Sequence, residues 1–247
     1  MTAPAEFYER LWRTEADGEN AARWSFQQGL VARALDRLGG PDDPGSAVRL
    51  AGRVVLEIGP GVGTETRALI GRGASVVAVD VTAAALTRTR AVTGDAALCV
   101  RAAAESLPLA PGSIDAVFAQ TVLMHLDVPR AAAEWARVLR PGGRVVIVEP
   151  LAGNPLVALY RRFFSPYRET RPRYVTLASL AAAAGPAGLA VTHHEEHYLL
   201  AVAALALPQA LRPAAIAVFA AIDGVLLRLP GAGRLAWMTL VELRRAG

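Results

Sequence analysis

Val54-Val55-Leu56-Glu57-Ile58-Gly59-Pro60-Gly61-Val62-Gly63-Thr64 is an apolar run that ends near a carboxylate and passes through a glycine loop. The β-branched residues of 53–58 read as a short buried strand, and the residues after Thr64 as a helix. Glycines let the backbone turn sharply and let a ligand lie close against it. In open α/β sheets such loops sit at the carboxyl ends of strands, where ligands bind. The nicotinamide fingerprint G-x-G-x-x-G asks for a third glycine where this chain has Thr64, so that reading fails. The pattern that stands is E-x-G-x-G-x-G.

On the carboxyl side of this stretch, strands and helices alternate. Residues 64–70 read as a helix ended by Gly71-Arg72-Gly73, 75–80 as a strand, and 83–92 as a helix. Strands follow at 97–101 and 113–119. A helix at 130–139 is expected to stop at Pro141-Gly142-Gly143, before a strand at 144–149. On the amino side, residues 5–38 read as helices, from the spacing of Phe7, Leu11 and Trp12 and of Leu30, Ala34, Leu35 and Leu38. Beyond Pro150 come an arginine- and aromatic-rich stretch (151–175), a helix (177–184) and a strand (189–197). One or two apolar helices at 202–229 and a closing strand at 235–245 complete the chain. The alternation implies a mostly parallel sheet covered on both faces. The expected fold is α/β, a Rossmann-like seven-stranded sheet with N-terminal helices and a helical C-terminal insertion.

Three further features lie in register with the glycine loop. Asp80 stands 21 residues after Gly59, at the end of the second strand. A carboxylate there can accept from both ribose hydroxyls. The competing reading is a helix N-cap, which Thr82 could supply equally well. Next come Arg101-Ala-Ala-Ala-Glu105-Ser-Leu-Pro108 with Gly112-Ser-Ile-Asp115. Last is Gln120-Thr-Val-Leu-Met-His125 with Glu134-Trp-Ala-Arg137-Val-Leu-Arg-Pro-Gly-Gly143.

Taken together, these motifs resemble the class I S-adenosylmethionine-dependent methyltransferases of small-molecule type, over roughly residues 50–150. The resemblance implies S-adenosylmethionine as cofactor and S-adenosylhomocysteine as product. It implies that Gly59, Gly61, Gly63 and Thr64 wrap the methionine part, with Glu57 ordering the region near its amino group. Asp80 would meet the ribose; Val81, Ala104, Glu105 and Gln120 complete the cofactor set. The chain departs from the family at Ala103, where the family carries the aspartate that receives the adenine amino group. The resemblance also implies one methyltransferase domain over 1–247, with a cap at 1–40, a core at 50–150 and an acceptor-side segment at 151–247. Glu134 and Arg137 read as a structural i, i+3 pair.

For the acceptor side, His125 is either a general base or a packing residue, with Glu149 and Tyr160 as further catalytic candidates. Tyr8 and Trp12, with Trp24, either close over the site or pack in the core. Five arginines fall within residues 161–173. Guanidinium forks match anions, so Asn154, Tyr167, Arg168 and Arg171 are expected to line an acceptor site that takes an anionic group. His193, Glu195 and His197 would share one face of a strand. That reads as an exposed polar face, and no metal is expected.

Composition narrows the classes. The chain is 53% apolar and 19% charged over 247 residues, enough for a sizeable core. All 26 basic residues are arginine, so lysine chemistry is excluded. The formal charge of +4 is read as compositional bias, and nucleic acid is not an expected partner. In place of a base-flipping N-P-P-Y motif, Asn154-Pro155 continues as Leu-Val. A lone Cys99 allows no internal disulfide and fits a reducing, cytoplasmic setting. The first ten residues do not read as a signal peptide. Pro208, Arg212, Pro213, Asp223 and Arg228 interrupt the apolar 199–229 stretch, so no membrane span is expected. That stretch is expected to wall an acceptor pocket or a homodimer interface. The expected activity is O-methylation of a small specialised metabolite. C- or N-methylation, and a cofactor-promoted rearrangement or cyclisation, are the alternatives, and a non-catalytic binding module is disfavoured by intact cofactor loops.

Overall fold

The computed structural model describes residues 3–14, 27–39, 50–163 and 165–246. Its helices are α1 (Ala3–Thr14), α2 (Gln28–Arg37), α3 (Thr64–Gly71), α4 (Ala83–Thr93), α5 (Val128–Val138), α6 (Pro155–Phe163), α7 (Leu177–Ala184) and α8 (Arg212–Leu226). Its strands are β1 (Val54–Ile58), β2 (Ser75–Asp80), β3 (Ala97–Arg101), β4 (Ile114–Gln120), β5 (Leu139–Pro150), β6 (Leu189–His197) and β7 (Met238–Arg245).

The seven strands form one sheet in the order β3-β2-β1-β4-β5-β7-β6. The first five are mutually parallel; β7 runs antiparallel to both β5 and β6. The strand order reverses between β1 and β4, which opens a crevice beyond the carboxyl end of β1.

Side-chain alternation divides the core between the two faces. On one face Leu56, Ile58, Val117 and Ile147 pack against α5 and α7 through Trp135, Leu180 and Ala184. On the other Val55, Phe118, Val146 and Val148 meet α2 and α3 through Leu30, Leu35 and Leu69. The nearly buried Glu242 of β7 accepts from Arg37 of α2 at 2.9 Å, which ties that helix to the sheet.

Capping residues set several helix ends. Asp127 accepts from the Arg130 N–H at the start of α5, and Thr176 and Ser179 form a reciprocal capping box on α7. Glu134 receives both the Nε and Nη2 of Arg137, at 2.8 and 2.9 Å, and takes the Leu107 N–H. That fork holds the Glu134 carboxyl down to about pKa 2 and fastens the 107–109 loop to α5, the structural part expected for this pair.

Two boundaries differ from the sequence reading. Pro141-Gly142-Gly143 does not separate α5 from β5. The strand starts at Leu139, and the register slips between the Ile114–Leu139 and Ala116–Arg144 pairs, so the Pro-Gly-Gly run is an irregularity inside β5. The apolar stretch near the C-terminus is broken into short 3-10 turns at Ala201–Ala206 and Gln209–Leu211 before α8. Among the described residues no helix is long and apolar enough to cross a membrane.

Candidate active site

The carboxyl ends of β1, β2, β4 and β5 bring most of the predicted residues to one edge of the sheet. Gly59, Gly61 and Gly63 all have positive φ (71°, 57° and 78°), the conformation that excludes most side chains. Gly63 is also sterically required: a Cβ there would lie 2.6 Å from the Val92 side chain, whereas one on Gly61 would only touch the Trp12 ring at 3.4 Å. Thr64 is exposed at the first turn of α3, whose N-terminal N–H groups face the loop.

Glu57 is buried beneath this loop and accepts from the Thr66 hydroxyl at 2.6 Å. Burial pushes its carboxyl up to about pKa 8. The folded protein therefore holds a proton that the unfolded chain releases near 4.5. This contribution to stability is complete below that lower value and is lost as pH rises toward about 8. Thermal melts across this window should show a decline that Glu57→Gln reduces; an unchanged decline would remove Glu57 as its source.

Asp80 closes β2, with Val81 exposed beside it. Its Oδ1 accepts from both the N–H and the hydroxyl of Thr82, at 2.8 and 2.7 Å. Thr82, and not Asp80, holds the N-cap position of α4, yet its hydroxyl is turned to Asp80 and makes no cap bond. Glu9 of α1 takes over, accepting from the Ala84 N–H at 3.3 Å. Burial raises the Asp80 pKa, opposed by the Thr82 bonds. Next to Asp80, the Ala102 N–H donates to the Asp80 carbonyl, and Ala103 and Ser106 form a tight bridge around the buried Ala104. Glu105 is committed elsewhere: its Oε1 accepts from the Asp127 N–H at 2.9 Å.

At the end of β4, Thr121 adopts φ 52°, an uncommon conformation for a β-branched residue. Gln120 precedes it, and its Oε1 is buried with no hydrogen-bond partner among the described residues. Beyond it, Glu149 gathers the turn that carries His125. Its two oxygens accept from the N–H groups of Val122, Leu123 and Met124 at 3.0, 3.2 and 3.3 Å. Glu149 is fully buried, and burial raises it to about pKa 8 despite those donors. It positions the turn and is not placed to work as a free base, which corrects the catalytic expectation.

His125 meets α1. The Tyr8 hydroxyl lies 3.0 Å from His125 Nε2, and the rings pack edge to face at 5.1 Å. His125 Nδ1 is buried without a hydrogen-bond partner among the described residues. Burial lowers the imidazole to about pKa 4, so it is neutral at pH 7. Burial raises the Tyr8 phenol. Tyr167 stacks on Tyr8 with ring centroids 6.3 Å apart and meets Phe7 edge to face. Trp24 lies outside the described residues.

Other acceptor-side expectations fare differently. Tyr160 lies on the exposed face of α6 and not in the buried cluster around His125. Asn154 is a structural clamp: its Nδ2 donates to the Leu199 and Leu235 carbonyls, and its Oδ1 accepts from Val157. Both amide donors are spent inside the fold and the side chain is buried, which gives Asn154 a structural part. Arg171 is exposed, with φ 47°, and the Arg168 side chain lies outside the described residues. Arg161 is the partly buried arginine, stacked 3.3 Å over the Tyr174 ring and donating to the Leu151 carbonyl. On β6, His193 and His197 both bond the Glu195 carboxylate, at 2.9 and 3.1 Å, on the shared face that strand alternation implies.

This edge fits an adenosyl-methionine group. It offers a glycine-rich loop, a pre-set carboxylate at Asp80, an apolar Val81 face and an unspent Gln120 oxygen. Residues 56–147 match a family described as a methyltransferase domain. Over that segment the chain is similar to methyltransferase domains, and its fold is that of S-adenosylmethionine-dependent methyltransferase structures. It is similar to an uncharacterized methyltransferase of Mycobacterium tuberculosis, 39% identical over 135 residues, covering 50% of this chain and 52% of the relative. A demethylmenaquinone methyltransferase of Clavibacter sepedonicus is 38% identical over 139 residues, 55% of this chain and 56% of that protein. The chain thus spans about half the length of the curated relatives it matches. Over 99% of both chains, its fold resembles a geranyl diphosphate C-methyltransferase from Streptomyces coelicolor, with a TM-score of 0.67 at 15% identity.

Proposed function

We propose that the chain transfers a methyl group from S-adenosylmethionine to a small acceptor, with Tyr8 and His125 as its proton-handling pair. The observation that carries this reading is the 3.0 Å contact between Tyr8 and His125 at the same sheet edge as the glycine loop and Asp80. When bound, the cofactor supplies an electrophilic methyl on a sulfonium. Gly59, Gly61, Gly63 and Thr64 would hold its methionine end, with Glu57 beneath them. Asp80 and Val81 would hold the ribose and adenine side, with the Ala104 backbone and Gln120 completing the wall.

The aromatic shell of Phe7, Tyr8, Trp12 and Tyr167 supports exclusion of water from the transfer. A neutral His125 can accept a proton; an imidazolium could not. The Tyr8 hydroxyl passes its proton to His125 Nε2 as it takes one from the acceptor hydroxyl. The phenol therefore ends neutral, in keeping with its raised pKa. The acceptor oxygen gains nucleophilicity and attacks, giving O-methylation. Removing the same proton from a phenolic acceptor also enriches its ring carbons. A relative named as a ubiquinone/menaquinone biosynthesis C-methyltransferase makes C-methylation the second reading. An anionic group on the acceptor remains part of the proposal, with Arg168 and Arg171 as its expected partners and Arg161 added to them.

The test of the class is calorimetric titration with S-adenosylmethionine, S-adenosylhomocysteine and NADH. Micromolar binding of the two sulfur compounds alone supports it, and preference for NADH removes it. Once an acceptor is found, Tyr8→Phe should lower kcat about fivefold to tenfold, the worth of one hydrogen bond. The acid limb of its pH profile should stay near the His125 value of about 4. A limb near 6.5, or an unaffected kcat, would reject the relay.

A further inference from the structure

We propose that α6 and α8 form a docking face for an anionic lipid bilayer. Helix α8 is inside out. Its buried residue is Asp223, whose carboxylate oxygens accept from the Leu200 and Ala201 N–H groups at 2.8 and 3.0 Å. Meanwhile Val218 and Val225 are 58% and 65% exposed, Ile222 stands on the same stripe, and the exposed Leu229 continues it. Helix α6 repeats the pattern: Leu156, Leu159, Tyr160 and Phe163, at i, i+3, i+4 and i+7, are all exposed, while Val157 is buried. An apolar helix face of this kind is ordinarily turned to a core. Left outward on two helices, it marks a surface that another apolar phase covers.

The two helices belong to one region. Both pack on the Ala201–Ala206 turn, and Asn154 at the head of α6 bonds the carbonyls of Leu199 and Leu235 on either side of α8. Because α6 follows β5, and α8 lies between β6 and β7, this region emerges at the carboxyl edge of the sheet. That is also the edge of the active site.

Charge selects the occupant. Residues 151–188 and 198–241 carry eight arginines and two acids, Glu169 and Asp223. Asp223 is buried, and Glu169 pairs with Arg10 at 3.4 Å. The exposed Arg162 and Arg228 directly flank the apolar stripes. A second copy of this chain would set arginines against arginines, which is unfavourable. Anionic headgroups complement them, and the apolar stripes can settle into the headgroup–acyl boundary without spanning it.

The test is flotation of the full chain with vesicles of equal parts phosphatidylcholine and phosphatidylglycerol, against vesicles of phosphatidylcholine alone. Binding to the mixed vesicles is expected to be about tenfold tighter or more, and weakened by salt. Leu159→Asp and Val225→Asp should each reduce it about tenfold with unchanged melting temperatures. Arg162→Ala with Arg228→Ala gives a second test that leaves the apolar stripes intact, and should reduce binding to the mixed vesicles alone. Failure to bind the mixed vesicles, or equal binding by all variants, overturns the proposal. So does a concentration-dependent dimer dissociated by Val225→Asp, because a second copy then covers the face. Vesicle binding is read without activity, so its failure would leave the methyltransferase reading standing.

Discussion

Asp80→Ala should weaken S-adenosylmethionine binding about a hundredfold or more, since hydrogen bonds to a charged group contribute roughly 1.5–3 kcal/mol each. The assigned partners are the two ribose hydroxyls, whose donors converge on one carboxylate. Asp80 is also pre-set: two bonds from Thr82 fix Oδ1 before any ligand arrives, so little ordering is left for binding to supply. Removing the side chain also frees Thr82, which could disturb the start of α4. Asp80→Asn separates these effects. Its amide oxygen can keep both Thr82 bonds, while its NH2 presents donors where the ribose needs acceptors. The asparagine variant should therefore melt like the parent and still bind S-adenosylhomocysteine at least about tenfold more weakly. Calorimetry on both variants reads this directly. Parental affinity in both would remove Asp80 from the cofactor site.

The parallel core was legible because strand and helix periods alternate cleanly between residues 53 and 149 and glycines stand at the turns. The positions of Glu57, Gly59, Gly61, Gly63 and Asp80 followed from that order. What α1 does was not legible. Trp12 against Gly61, Glu9 on Ala84 and Tyr8 on His125 join residues up to 117 positions apart, and helical spacing in α1 says only that one face is covered. The part played by Glu149 was hidden for a related reason. A carboxylate at a strand end looks like a base until the three N–H groups folded over it are seen. Asn154 likewise reads as a ligand in sequence and as a clamp in space. The outward stripes of α6 and α8 were missed because hydropathy reports how apolar a segment is, not which phase its apolar face meets. Pro141-Gly142-Gly143 shows the converse, a breaker signal absorbed as an irregularity within a paired strand.

Gly63→Ala should destabilise the fold by about 2–4 kcal/mol, combining left-handed backbone strain with overpacking. At φ 78° the residue is already where a side chain is disfavoured. The new Cβ would also stand 2.6 Å from Val92 Cγ2 and 2.9 Å from the Thr89 backbone. Val92 could turn away, but Thr89 Cα can yield only if α4 moves. Gly142 supplies the control. It has φ 73° and nothing within 4 Å of an added Cβ, so Gly142→Ala should lose only the strain, about 1–2 kcal/mol. Urea unfolding of the pair isolates the packing part, and equal losses would mean that α4 does not constrain the loop. A larger loss at Gly63 has a consequence for the site. Helix α4 starts just beyond Asp80 and packs on the glycine loop through Thr89 and Val92, so it sets the spacing between the two halves of the cofactor cradle. Any displacement of α4 that relieves the clash must move Asp80 relative to Gly61. Gly63→Ala should therefore also weaken S-adenosylhomocysteine binding under conditions where it remains folded, whereas Gly142→Ala should not.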